Sequence, residues 1–162
     1  MERIDKTNYY LDIAETVAER STCLRRCYGA ILVLHDEIIS TGYNGAPRGR
    51  ANCVDLNYCT REALQIPSGE RYELCRSVHA EANCIISAAR RDMLNATLYM
   101  ACRDPRTGEP LPHSTSCAMC RKLIINAGIT RIVIRDTKTD FRVVPIDDWV
   151  QDDDSLPSPR DT

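Results

Sequence analysis

The chain has 162 residues, a formal net charge of −2 and nine cysteines. That length suits one domain with a sizeable core. Basic and acidic residues are interspersed, which excludes the broad basic field that a long nucleic acid requires, and no apolar run reaches the length of a membrane span. The N-terminal Met1-Glu2-Arg3-Ile4-Asp5-Lys6 has no signal-peptide pattern, so a cytoplasmic protein is expected. In such a chain nine cysteines point to metal binding rather than disulfides, and the odd total argues against complete pairing.

In chain order, Tyr10, Ile13, Ala14, Val17 and Ala18 recur at helical spacing and predict a first helix ending near Ser21. Residues 29–34 and 38–43 predict two strands joined by the short turn His35-Asp36-Glu37. Residues 44–78 are rich in Gly, Pro, Asn and Cys. The stripe Ala82, Ile85, Ile86 and Ala89 predicts a helix whose first turn holds His79 and Glu81. A strand over 97–102, an insertion over 103–115 and a helix over 117–127 come next. That helix has Met119, Leu123, Ile124 and Ala127 as its apolar positions and stops at Gly128. A strand over 131–135 and an edge strand over 141–145 follow. From Gln151 onward the chain is acidic and Pro/Ser-bearing, so one domain over 1–148 and a disordered tail over 149–162 are expected. The order predicts a three-layer α-β-α fold with a mixed sheet of about five strands. The hairpin makes the first pair antiparallel, and the later helical crossovers favour parallel neighbours.

The chemistry concentrates in His79-Ala80-Glu81 and Cys117-Ala118-Met119-Cys120. A structural zinc closes its shell with four protein ligands, whereas a catalytic zinc keeps three and leaves one position to water, whose pKa falls to about 7. His79, Cys117 and Cys120 supply three ligands, and Glu81 supplies a carboxylate that need not be one. The two cysteines share the N-terminal end of a predicted helix, where free N–H groups and the dipole favour thiolates. H-x-E with a later P-C-x-x-C is the signature of zinc-dependent nucleobase deaminases, and here Ser116 stands in the proline position. The competing interpretations are a structural zinc and a redox dithiol. The second gives no reason for His79 and Glu81.

Four more cysteines, Cys23, Cys53, Cys59 and Cys75, stand out, three of them within the long segment between the second strand and the His79 helix. So long a stretch in a compact domain is unusual unless something organises it. Four thiolates fill a tetrahedral zinc shell, so a second, structural zinc is one reading. Scattered buried cysteines acting as small apolar residues are the other. Cys27 is an alternative ligand, and Cys84 and Cys102 fit a core.

The chain at this point resembles the cytidine deaminase superfamily, and more narrowly its deoxycytidylate (dCMP) deaminases. The resemblance runs from about Tyr9 to Arg135. Beyond the zinc motif it is carried by Arg20-Ser21-Thr22-Cys23-Leu24-Arg25-Arg26, Gly42-Tyr43-Asn44-Gly45-Ala46-Pro47-Arg48-Gly49, Ser68-Gly69-Glu70-Arg71, Cys75 and Ile124-Ile125-Asn126-Ala127-Gly128-Ile129. It implies a cytidine deaminase-like fold and zinc-dependent hydrolysis of dCMP to dUMP and ammonia, feeding thymidylate synthesis. It also implies a homo-oligomer, often a hexamer, with dCTP and dTTP as effectors. By the same resemblance Glu81 shuttles protons, Asn44 contacts sugar or base, the Ala80 N–H binds the pyrimidine O2, and the Ser116 carbonyl faces the leaving amine. Several dCMP deaminases carry a second zinc near the same positions. A phosphate needs a cationic clamp, and Arg26, Arg48 and Arg121 adjoin motif segments.

Two departures from the family pattern bear on substrate. The insertion over 103–115 immediately precedes the metal-ligating cysteines, as a lid, an oligomer contact, a specificity element or a tolerated surface loop. Ser116 removes a rigid φ constraint just before a helix. The alternatives to dCMP are CMP, cytidine or a modified nucleotide, or a sensor that binds nucleotides without turnover. A nucleic-acid editor is disfavoured by the acidic balance and by the lack of an aromatic-basic stripe.

Overall fold

The computed structural model describes residues 1–153 together with Ser155 and Leu156. The expected tail therefore lies in good part outside the described residues. The helices are α1 (Lys6–Ala18), α2 (Cys53–Leu56), α3 (Thr60–Ala63), α4 (Ala80–Ile86), α5 (Arg90–Met93), α6 (Ala118–Ala127) and α7 (Ile146–Gln151). The strands are β1 (Cys27–Leu34), β2 (Glu37–Tyr43), β3 (Thr97–Arg103), β4 (Arg131–Arg135) and β5 (Phe141–Pro145). They form one sheet in the order β2-β1-β3-β4-β5.

The sheet is mixed, as expected. β1 pairs antiparallel with β2 and with β3, β3 runs parallel to β4, and β4 pairs antiparallel with β5. His35 and Asp36 take positive φ, which suits a tight turn between twisted strands. The parallel pair needs a crossover, and α6 provides it.

Strand alternation builds two cores. Ala30, Leu32, Leu98, Met100, Ile132 and Ile134 face the layer that contains α4 and α6. Ile31, Val33, Tyr99 and Val133 face Tyr10 and Leu11 of α1. Arg135, 1% exposed, locks α1 to the sheet through Asp12 at 2.7 Å and Glu15 at 2.6 Å.

Local departures have physical causes. α1 starts at Lys6, ahead of its apolar stripe, because the Asp5 carboxylate accepts the Asn8 N–H at 2.9 Å as a cap. α5 and α7 are too short to show periodicity in a sequence. α7 runs through residue 148, where the domain was expected to end, and Trp149 packs against the larger core. The buried residues of α4 are Ala80, Glu81 and Cys84, whereas Ile86 is exposed. On α6, Met119 and Leu123 face outward, so two of the four apolar positions lie off the core.

Gly42 fixes how closely α4 sits on the sheet. A Cβ there would lie 2.4 Å from the Ala80 carbonyl oxygen and 2.6 Å from the Cys84 nitrogen, both backbone atoms that cannot swing aside. Gly42→Ala is therefore expected to destabilise the fold by about 1–3 kcal/mol and to loosen the start of α4. Denaturant unfolding together with zinc affinity checks both effects. Unchanged values of both would show that the close approach does not matter.

Candidate active site

Two helix starts converge. His79 caps α4 with φ −71° and ψ 155°, and Cys117 caps α6 with φ −69° and ψ 165°. Extended backbone at both caps turns the side chains out beyond the first turns, and Cys120 follows within the first turn of α6. Nδ1 of His79 lies 3.4 Å from Cys117 Sγ and 3.5 Å from Cys120 Sγ. Tetrahedral zinc with ordinary Zn–N and Zn–S bonds separates such donors by about 3.6 Å. The trio fits that geometry and leaves one ligand position to something else. Among the described residues it is the one His/Cys/Asp/Glu group whose three donor atoms all lie within 4.8 Å of one another.

The charges suit a dication. Hydrogen bonding to Cys120 pulls the Cys117 thiol well below its usual range despite burial, and His79 adds to the pull. The same Cys117 contact, with burial, pushes Cys120 up. His79 is pushed up to about 10 by hydrogen bonds to Cys117 and then Cys75. Protons held this way are released when a metal takes the donors.

Glu81 lies one helical residue beyond Ala80, and only 4% of it is exposed. Burial pushes its carboxyl above the usual range, opposed by its own backbone N–H, by His79 and by the Ser116 hydroxyl. A raised carboxyl can hold a proton in one step and release it in another.

The trio's His79 and Cys117, with Glu81, open onto a pocket that Arg25, Arg26, Tyr28, Asn44, Arg61 and Tyr72 also line. Asn44 is buried and largely committed. Its Oδ1 accepts from Ser21 Oγ at 2.5 Å and from Tyr28 N at 2.9 Å, and its Nδ2 donates to the Arg26 carbonyl at 2.9 Å. One amide proton is left for a ligand. The Ala80 N–H stands in the first turn of α4, where a helix offers it no internal acceptor. Ser116 is buried, and its carbonyl accepts from Arg121 Nε at 3.0 Å.

Of the three arginines expected near a phosphate, Arg26 lines the pocket together with Tyr28. Arg48 is exposed and away from the lining. Arg121 also lies away from it. Besides the Ser116 carbonyl, it meets Thr115 Oγ1 at 3.3 Å and lies 5.0 Å over the Trp149 ring, so it fastens the turn before α6 to α7. Sequence proximity to a motif does not say which way a long side chain points. Arg25, Tyr28, Arg61 and Tyr72 were not anticipated, although the first two adjoin Arg26 and Tyr72 adjoins the Ser68–Arg71 motif.

The four further cysteines come to one neighbourhood without closing to the spacing of the catalytic trio. Burial pushes the Cys53 thiol up, and Cys23, Cys75 and Cys59 act on it next. Cys23 Sγ accepts the Arg25 N–H and Cys75 Sγ the Ser77 N–H, both at 3.4 Å. Cys84 and Cys102 are core residues, as expected.

The insertion is tied down. The Leu111 N–H donates to the Cys102 carbonyl at 2.8 Å, and the His113 N–H donates to Asp136 at 2.8 Å. Arg142 bridges Asp136 at 2.8 Å and the Ser114 carbonyl at 2.5 Å. Only its last residue, Thr115, reaches the pocket.

Comparison with known proteins places these residues in company. The family model described as the cytidine and deoxycytidylate deaminase zinc-binding region matches residues 4–136. A deoxycytidylate deaminase of Mycobacterium phage D29 is 38% identical over 138 residues, covering 82% of this chain and 96% of that protein. One of Schizosaccharomyces pombe is 32% identical over 127 residues, covering 78% of this chain but 35% of that longer protein. The fold is similar to that of a dCMP deaminase from the cyanophage S-TIM5 solved with dCMP and dUMP, with a TM-score of 0.56, 23% identity, and 83% and 84% of the two chains covered. Among the described residues no helix is long and apolar enough to cross a membrane.

Proposed function

The chain belongs to the zinc-binding cytidine and deoxycytidylate deaminases, and from that premise we propose that it hydrolyses dCMP to dUMP and ammonia. The observation that carries this reading is a three-ligand metal site beside a buried carboxyl, opening onto a pocket with arginines in its wall. His79, Cys117 and Cys120 would hold zinc, which would supply Lewis acidity toward the attacking water.

The chain's own groups do the rest. Glu81 takes a proton from the attacking water and delivers it to N3 of the cytosine as the C4–O bond forms. It then takes the second water proton and hands it to the amine, so the C4–N bond breaks and ammonia leaves. The remaining amide proton of Asn44 and the Ala80 N–H orient sugar and base, with the pyrimidine O2 as acceptor for Ala80. The Ser116 carbonyl, already accepting from Arg121, has a second lone pair for the departing amine. Arg26 stands among the groups that meet the phosphate.

A structural zinc at Cys23, Cys53, Cys59 and Cys75 belongs to the same reading. Its support is the shared electrostatics at Cys53 and the two backbone N–H groups aimed at sulfur, which steady thiolates. The reading extends to a cytoplasmic homo-oligomer, a hexamer by resemblance, with dCTP and dTTP as effectors. The outward-facing Ile86, Met119 and Leu123 support association between copies.

Zinc-loaded protein incubated separately with dCMP, CMP, deoxycytidine and cytidine is expected to convert dCMP fastest, by mass spectrometry of the products. No conversion of dCMP, or equal conversion of the free nucleosides, would overturn the reading. Glu81→Gln is expected to lower kcat by about 10²–10⁴-fold while zinc content stays at the wild-type value. Metal analysis is expected to find two zinc ions per wild-type chain and one in Cys53→Ser. A single zinc in both proteins would remove the structural site.

A further inference from the structure

Arg61 takes no part in the proton chemistry, yet it is 93% buried, its exposure being 7%. Its Nη2 donates to the Pro67 carbonyl at 2.7 Å and to the Glu70 carbonyl at 2.9 Å. Its guanidinium carbon sits 4.3 Å from the centre of the Tyr72 ring. Nε finds no acceptor among the described residues. Every acceptor it has is a neutral carbonyl, and no carboxylate among the described residues lies within ion-pair distance of it.

A buried guanidinium with only neutral partners is costly to hold. An anion in the same cavity offsets that cost, and Arg61 lines the cavity that holds Glu81 and His79. The neighbouring arginines are differently placed. Arg25 Nε is engaged with the Glu62 carboxylate at 3.2 Å, and its side chain is 40% exposed. Arg26 is exposed, so water screens its charge. Of the three arginines Arg61 alone is buried, and no carboxylate among the described residues pairs with it.

Its distance from the chemistry is set by one ring. Tyr72 lies 4.3 Å from the Arg61 guanidinium on one side and packs edge-on against His79 at 5.3 Å on the other. An anion at Arg61 and a base beside His79 would therefore share one cavity, with Tyr72 between the two residues.

We propose that Arg61, stacked on Tyr72, receives the 5′-phosphate and selects a nucleotide over a nucleoside. This rests on the deaminase reading above. The planar fork, held by two carbonyls and an aromatic face, is fixed before the ligand arrives, so little rotamer entropy is lost on binding. The rival role is electrostatic balance for the thiolates of Cys59 and Cys75, which line the same pocket.

The test compares zinc-loaded wild type, Arg61→Met and Arg61→Lys on dCMP and on deoxycytidine, with zinc content measured in each. Arg61→Met is expected to reduce the dCMP-over-deoxycytidine ratio of kcat/KM by about 10- to 100-fold, mainly through KM, with zinc content unchanged. Arg61→Lys is expected to regain part of the ratio. An equal fall on both substrates, or loss of zinc, would overturn the proposal in favour of a structural role. Because Arg61 also pins its own loop, hydrogen exchange on the wild type supplies a second reading. dUMP is expected to protect backbone amides of residues 60–72 beyond the protection given by deoxyuridine, and equal protection would overturn the proposal. Wild type that leaves dCMP untouched counts against the deaminase reading. Active wild type with parallel losses in the variants counts against Arg61 alone.

Discussion

A metal held by His79, Cys117 and Cys120 requires two segments 38 residues apart to place their first helical turns within bonding reach of one point. Much of the fold answers to that requirement. The sheet gives α4 and α6 a common floor, and the absence of a Cβ at Gly42 lets α4 settle onto β2 until its backbone touches the strand. Extended caps then aim the ligands past the helix ends, where N–H groups and the dipole favour thiolates. Glu81 follows from the same geometry, since it stands two residues after His79 in the first turn of α4 and on its buried side.

The pocket inverts the chain's overall balance. A protein of net charge −2 gathers Arg25, Arg26 and Arg61 around one cavity. Charge that is diluted across the surface has little hold on a small anion, whereas cations converging on a partly desolvated pocket do. The insertion that ends at Thr115 of the lining is held by a separate ion pair. Burial raises the Asp136 carboxyl, but Arg142 and the His113 N–H more than offset this and hold it below its usual range. The insertion thereby joins the β4–β5 turn, and this tie is fully present above the ordinary carboxylate range and lost as the pH falls through the lowered value of Asp136.

Much of this was legible in the sequence, and what was not has a common cause. The metal ligands, Glu81, the strands over 131–135 and 141–145 and the stop at Gly128 depend on local spacing or on a single residue's conformational freedom. Gly128 indeed closes α6 at φ 84°. Residues 44–78 carry no such pattern because their order comes from aperiodic contacts within the segment. Gly45 and Val78 bridge each other, and Arg61 gathers the carbonyls of Pro67 and Glu70. Asn57, Gln65 and Arg71 adopt positive φ, which no periodic signal in the sequence marks. Arg26, Arg48 and Arg121 were sought as the phosphate clamp because they adjoin motif segments, whereas the buried arginine that lines the pocket is Arg61, which adjoins none of them. Periodicity likewise marked Met119 and Leu123 as apolar without revealing that they face outward.

The most direct measurement is a crystal structure of the zinc-loaded protein with anomalous data at the zinc edge. The account predicts an anomalous peak bonded to His79 Nδ1, Cys117 Sγ and Cys120 Sγ, with solvent as the fourth ligand and the Glu81 carboxylate within hydrogen-bond distance of that solvent. A fourth bond from Cys75, which lines the same pocket, would close the shell and make the centre structural. That result would contradict the catalytic account at its root.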